Sequence, residues 1–397
     1  MKAVELPRHC SYHALITTLV ERGAFSSEWK KLSLKVGKGC HVTVGAIAFL
    51  CTWGLELQRN GRSITFVGYG GTLQYLARMN LFRVLGIDYK ENFTRHAAVG
   101  RFISLYLIDS DKAVKPAVDA IADLVIHQFE NARDFLPALE WSVNEVVDNI
   151  RIHSETPVPG AVCAQYFPKK YRLEVGVCDM GKGVKASLEE SFELFSHGDA
   201  VTKALERGVT RNASVGQGNG LAGSLAIARA NEGVFRLWTG DCIYSSTDGD
   251  GSFRLFPAEI PGTGVSLSMN TTRPVRLSTL FIGDSDWGYM DVECERIESE
   301  DGLRVTDECD HVGGREPARR LRYKIMNLLP DYDGSFPLDF TGVERPSSSF
   351  LDELLGRLAL RLGESEFRRR IRIVNVTPEI ESMANVVIHQ RLEYGSE

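Results

Sequence analysis

The stretch Ala138-Leu139-Glu140-Trp141-Ser142-Val143-Asn144-Glu145-Val146-Val147-Asp148-Asn149-Ile150-Arg151-Ile152-His153 decides how the rest of the chain is read. Leu139, Val143, Val146 and Ile150 recur at helical spacing and predict an apolar stripe on a core. Glu145 and Asn149 are four apart, so a helix stacks them one turn above the other on a neighbouring stripe. A carboxylate and an amide held this way do complementary jobs. The carboxylate accepts a proton, and the amide oxygen ligates a hard cation such as Mg²⁺. Alone, Glu-x-x-x-Asn is equally well an exposed polar face.

Three more segments add to this chemistry. In Val175-Gly176-Val177-Cys178-Asp179-Met180-Gly181-Lys182-Gly183 a predicted strand ends in Asp179 and runs into Gly-x-Gly. An aspartate there can accept a hydrogen bond from an exocyclic amine, and Gly181 and Gly183 let backbone approach a flat ring. The plain alternative is a strand and a tight turn. Next, Gly216-Gln217-Gly218-Asn219-Gly220-Leu221 directly precedes a predicted helix over 222–230. Alternating glycines before a helix expose backbone N–H groups to an anion. The run is neither the dinucleotide fingerprint nor a Walker loop, which would end in Lys-Ser/Thr. Finally, Pro261-Gly262-Thr263-Gly264 opens a strand, and Thr263 is a candidate partner for the Asp179 position.

As a set in this order, the segments resemble the ATP-binding superfamily shared by DNA gyrase, the heat-shock chaperone ATPase, sensor histidine kinases and mismatch-repair ATPases, the GHKL group. The resemblance spans about 155 residues: Asn144–Asn149 with His153 is similar to its N box, and the three glycine segments to its glycine boxes. It implies Glu145 as general base and Asn149 as Mg²⁺ ligand. It further implies Asp179 on the adenine amine with Thr263 in support, Gly181 and Gly183 at the ring, and Gly216, Gly218, Gly220 and Leu221 at the phosphates. Residues 183–216 would form a mobile lid. The similarity is greatest to the anti-sigma-factor serine kinases, whose N box also runs Asn-Glu-x-x-x-Asn towards a His.

The flanks fit that branch. Leu338-Asp339-Phe340-Thr341-Gly342-Val343 followed by Ser347-Ser348-Ser349-Phe350 resembles a bacterial STAS-like domain of unknown function. In phosphorylatable STAS domains a serine at this strand–helix turn takes phosphate, so Ser347 and Ser348 are the nearest counterparts. Arg345-Pro346 and Phe350 depart from the usual Asp-Ser-Ser-Gly run, which favours a helix N-cap there. The N-terminal block resembles a STAS fold more weakly and lacks the serine.

The expected fold class is therefore α/β (α+β). A central two-layer α/β sandwich with a mixed sheet (113–274) lies between two small STAS-like α/β domains (1–112 and 275–397). The expected cofactors are ATP and Mg²⁺. The expected activity is that of a serine/threonine protein kinase or ATPase, with an ATP-gated interaction switch as the alternative and a histidine kinase last, because no phosphoacceptor helix precedes the ATP domain. The expected partner is a STAS-type or sigma-factor-like regulator, and a homodimer is compatible with the sequence.

Composition sets outer bounds. With 397 residues the chain can bury more than one core, and its net charge of −6 disfavours indiscriminate phosphate-backbone binding. The densest basic run, Arg368-Arg369-Arg370-Ile371-Arg372, reads as the start and solvated face of a strand. Eight cysteines show no Cys-x-x-Cys, so free thiols are expected rather than a metal site at Cys294, Cys309 and His311. Asp248-Gly249-Asp250-Gly251-Ser252 mimics a calcium loop, but Phe253 breaks it and a hairpin turn is expected. The apolar stretch 42–57 is too short to span a bilayer and reads as a buried helix. A cytoplasmic, reduced protein with no membrane contact is expected.

Overall fold

The computed structural model describes residues 2–95, 98, 100–126, 135–209, 220–247, 251–282 and 302–394. Gly216 and Gly218 lie outside the described residues, as do most of the expected lid's C-terminal part and Cys294. The fold is α+β, with a separate sheet in each third of the chain.

The first third comprises β1 (Lys2–Glu5), β2 (His9–Cys10), α1 (Tyr12–Glu21), β3 (Lys31–Val36), β4 (His41–Val42), α2 (Val44–Arg59), β5 (Ser63–Gly68), α3 (Gly70–Arg78) and α4 (Leu81–Val84). Strands β1, β3 and β5 form a parallel sheet, as the helical crossovers between them require. Helix α2 is buried along almost its whole length. A helix apolar on all sides needs cover on all sides, and α2 has it: its own sheet lies on one side and the central sheet on the other.

The central third comprises β6 (Phe102–Ile108), α5 (Asp111–Ile126), α6 (Leu136–His153), β7 (Gly160–Phe167), β8 (Arg172–Cys178), α7 (Gly183–Leu188), α8 (His197–Ala204), α9 (Gly220–Ala230), β9 (Val234–Ser245), β10 (Ser252–Asn270) and α10 (Leu277–Phe281). Its five strands run in the order β6-β7-β8-β10-β9. One expectation is corrected here. The sheet is antiparallel in every described pairing rather than mixed. For β7–β8 and β9–β10 the cause is local, since short connections make hairpins, which are antiparallel by construction; β6–β7 and β8–β10 pair across longer intervals. Within the unit α5, α6 and α9 cover one face of the sheet, the expected two layers, and α2 of the N-terminal third packs on the other face. Strand β6 pairs with β7 and so belongs to this unit, although it precedes residue 113.

The last third comprises β11 (Leu303–Arg304), α11 (Val305–Glu308), α12 (Arg315–Leu328), β12 (Phe336–Asp339), α13 (Ser348–Leu351), α14 (Arg357–Leu362), α15 (Glu364–Arg370), β13 (Ile371–Val374) and α16 (Pro378–Tyr394). A parallel sheet β11-β12-β13 lies at its centre. Arg368, Arg369 and Arg370 close helix α15 instead of opening the strand; Glu364 and Glu366 pair with Arg368 and Arg369 across one turn, which favours helix. Between α13 and α14 the helix widens into a π turn over Asp352–Gly356. The core of this third is continuous with that of the central unit.

Candidate functional site

Helix α6 organises the site. Pro137 stands in its first turn, where a missing N–H costs nothing. Leu139, Val143, Val146 and Ile150 are buried against the sheet as the spacing predicts. Glu145 and Asn149 are half-buried on the neighbouring stripe.

At the far end of α6, the Asp179 turn locks onto the helix. Lys182 N donates to Ser154 O at 3.0 Å, and a Cβ on Gly181 would come within 2.1 Å of the same carbonyl oxygen. No residue with a side chain fits there. Asp179 is buried; its Oδ1 accepts from Gly181 N at 2.7 Å, and its backbone N donates to Thr263 O at 2.9 Å. Burial pushes its carboxyl up to about 7, against the pull of the Gly181 and Thr263 amides. Gly262, at φ 91°, seats its α-carbon where a Cβ would meet Asp179 O at 2.0 Å. Thr239 Oγ1 accepts from Val184 N at 3.0 Å and donates to Gly262 O at 3.2 Å, tying the segment after Gly183 to the third glycine segment.

At the middle of α6, the N-terminus of α9 arrives. A Cβ on Gly220 would lie 2.7 Å from Glu145 Oε2, so backbone approaches the carboxylate closely. Leu221 bridges the main core and the small cluster under α7 and α8. Of the predicted residues, Glu145, Asn149, Asp179, Gly181, Gly183, Gly220, Leu221 and Thr263 thus sit on or around one helix and the loops pressed against it.

The third set of neighbours comes from the C-terminal unit. Ser348 Oγ donates to Glu145 Oε1 at 2.9 Å and accepts from Asn144 Nδ2 at 2.8 Å. Ser349 Oγ donates to Asp148 Oδ2 at 2.6 Å. Ser347 is the N-cap of α13, its Oγ accepting from Phe350 N at 3.0 Å. Burial pushes Glu145 up to about 7; the Ser348 hydrogen bond opposes this and the nearby Asp148 charge adds to it. A carboxyl near neutrality is suited to exchange a proton with a hydroxyl.

Behind the serines lies a buried ionic cluster. Asp352 accepts from Arg391 at 2.7 and 2.8 Å and from Arg315 at 2.7 Å. Glu353 faces Arg322 at 2.8 Å, Arg357 at 3.2 Å and Arg319 at 3.3 Å. Asp352 is held down to about 2; Arg315 and Arg391 outweigh its burial. Sequence reasoning missed Arg315, Asp352 and Arg391. The acidic pair directly after the serines was the one local signal.

Residues 318–381 match the STAS-like domain of unknown function (DUF4325). The C-terminal region therefore carries a STAS-like domain, and the surrounding unit extends beyond the match, from β11 through α16. No curated protein matches the chain. Among the described residues, no helix is long and apolar enough to cross a membrane, and no group of three or more His, Cys, Asp or Glu side chains could hold a metal ion.

Proposed function

We propose that the chain is an ATP- and Mg²⁺-binding regulatory protein of the GHKL type, in which Glu145 is the general base and Ser348 of the STAS-like domain is the hydroxyl it serves. The observation that carries the reading is the convergence on α6. The Asp179–Gly183 turn presses against the end of the helix that bears Glu145 and Asn149, Gly262-Thr263 press against that turn, Gly220 presses against Glu145, and Ser348 Oγ lies 2.9 Å from Glu145. Asp179 is a buried acceptor of the kind an exocyclic amine needs, and the glycines at 181 and 262 let the Asp179 turn pack directly on Ser154 and on the third glycine segment. Asn149 would contribute an amide oxygen to Mg²⁺, which supplies charge neutralisation to phosphate oxygens. Glu145 takes the proton from Ser348 Oγ as that oxygen becomes a nucleophile. The partner this reading implies is a STAS-type or sigma-factor-like regulator.

A second reading has its own support. Because Ser348 already occupies Glu145, docking of the STAS-like domain also closes the site, and nucleotide would then act as a switch with little turnover.

Calorimetry with Mg-ATP on the full chain, beside Asp179→Asn and Glu145→Ala, tests both. Uptake by the wild type that Asp179→Asn abolishes supports nucleotide binding; absence of uptake by the wild type ends both readings. Phosphate on Ser348 by mass spectrometry, lost in Glu145→Ala, selects the kinase. Uptake without phosphate release or phosphoserine selects the switch.

A further inference from the structure

We infer that the STAS-like domain completes an oxyanion seat against the central unit, in which Trp141 Nε1 and Arg315 Nε receive one oxygen of a phosphoryl group. The inference deepens the proposed function and rests on it for the identity of the ligand.

Trp141, Glu145, Arg315, Ser348 and Asp352 line one small void between α6 and the C-terminal unit. Two of the residues that line it carry N–H donors with no acceptor among the described residues. Trp141 Nε1 and Arg315 Nε are both buried, and neither has a hydrogen-bond partner among the described residues. Trp141 is 1% exposed. Buried donors are almost always satisfied, so two orphans on residues that line one void point to an absent acceptor. The void measures about 20 Å³, which admits a single oxygen atom.

Charge favours an anionic oxygen. Arg315 is pinned through Nη1 to Asp352, which Arg391 also holds, so the guanidinium is fixed before any ligand arrives. The cluster sets Arg315, Arg319, Arg322, Arg357 and Arg391 against Asp352 and Glu353, an excess of guanidinium over carboxylate. Glu145 also lines the void, and its charge and that of Asp148 act on Arg315 and offset part of that excess. The N-terminus of α9 meets the same Glu145 carboxylate through Gly220, adding the helix's positive end. One domain thus supplies the indole donor and the helix end, and the other supplies the guanidinium.

The test compares Mg-ATP with Mg-ADP by calorimetry on the full chain. Trp141→Phe removes one N–H and keeps an aromatic ring against Phe281 and Gly223. The expected result is an affinity for Mg-ATP lower by about tenfold, with Mg-ADP unchanged; Arg315→Lys should act in the same direction. Equal losses for both nucleotides, or none, overturn the seat. If the wild type takes up neither nucleotide, the proposed function fails and orthophosphate alone judges the seat. A rise in melting temperature with orthophosphate, absent in Trp141→Phe, supports it. The same response in both proteins, or no response in either, leaves a buried water as the occupant and overturns it.

Discussion

The central unit is gripped on two sides by contacts of opposite chemistry. On the N-terminal side, α2 lies on β7 and β8 at backbone distance: a Cβ on Gly176 would meet Gly45 N at 2.6 Å. Tyr12 stacks on Trp238 with ring centroids 3.5 Å apart, and the polar contacts of α2 itself are with thiols, Cys163 Sγ to Val44 O and Thr52 Oγ1 to Cys178 Sγ, each at 3.3 Å, while Tyr75 Oη to Gln165 Oε1 at 2.6 Å, Asn80 Nδ2 to Ser104 Oγ at 2.9 Å and Arg254 with His13 at 3.3 Å add polar contacts elsewhere along this boundary. On the C-terminal side, Ser348 and Ser349 meet Glu145 and Asp148, backed by the Asp352–Glu353–arginine cluster. A dry contact depends on shape and ignores protonation. A contact made of hydroxyls, carboxylates and guanidiniums depends on the charge of every member. The difference teaches that the same central fold is anchored on one face and made responsive on the other.

The contrast breaks first at Asp352. Asp352→Ala leaves Arg391, 1% exposed, and Arg315 without their shared counter-ion. The expected loss is about 3–5 kcal/mol by urea unfolding, because an uncompensated buried charge costs more than the pair contributed. The same reasoning run on the dry face gives Gly176→Ala. The added Cβ strikes helix backbone that cannot rotate away, and the expected loss is about 3 kcal/mol, independent of pH and salt. A strongly salt-dependent loss at Gly176, or a negligible loss at Asp352, would contradict the comparison.

How much of this was legible in the sequence differs between the faces in the same way. Local patterns carried the elements: the stripe from Leu139 to Ile150 faces a core, and the apolar stretch 42–57 is a buried helix, observed over Val44–Arg59. The candidate site was legible wherever its residues are neighbours in sequence, as Glu145 with Asn149 and Asp179 with Gly181. Helix α2 read as buried, but apolar composition does not say against what, so its packing on the central sheet was not foreseen. Strand order has the same weakness, which is why the sheet was expected to be mixed. Ser348 read as a cap or an acceptor on local grounds, and the cap role fell to Ser347. Its partner Glu145 lies 203 positions away, and no local rule pairs residues at that separation. Arg315 and Trp141 were invisible for the same reason.

A pH series sharpens the comparison at intermediate size. Glu145 titrates at about 7 in the folded protein, above its ordinary 4.5. The folded state therefore holds the proton more tightly than the unfolded chain. Stability from this group is complete below pH 4.5 and is lost as pH rises through 7. Glu145→Gln keeps an acceptor for Ser348 and cannot ionise. Its stability relative to wild type should rise from pH 5 to pH 8 by about 2 kcal/mol, a figure reduced for the side chain's partial exposure. Glu140 and Asp179 are also pushed up to about 7, so the wild type alone cannot assign the loss, and the difference between the two proteins does. A flat difference across that range would remove Glu145 from the responsive face.

The smallest effect is the most discriminating. Ser348→Ala deletes a hydroxyl that donates to Glu145 and accepts from Asn144. Ser347→Ala deletes only a helix cap. Each should cost about 1 kcal/mol at neutral pH, so stability at one pH does not tell them apart. Their pH profiles do. Losing the Ser348 hydrogen bond removes the interaction that favours ionised Glu145, so the Glu145 titration should move further up, and the fall in stability should start at the same pH but continue to a higher pH and end larger. Ser347→Ala should shift the whole stability curve down without changing its shape, since its partner is a backbone amide that does not titrate. Identical profiles for the two variants would mean that the Ser348–Glu145 bond does not couple the STAS-like domain to the central helix.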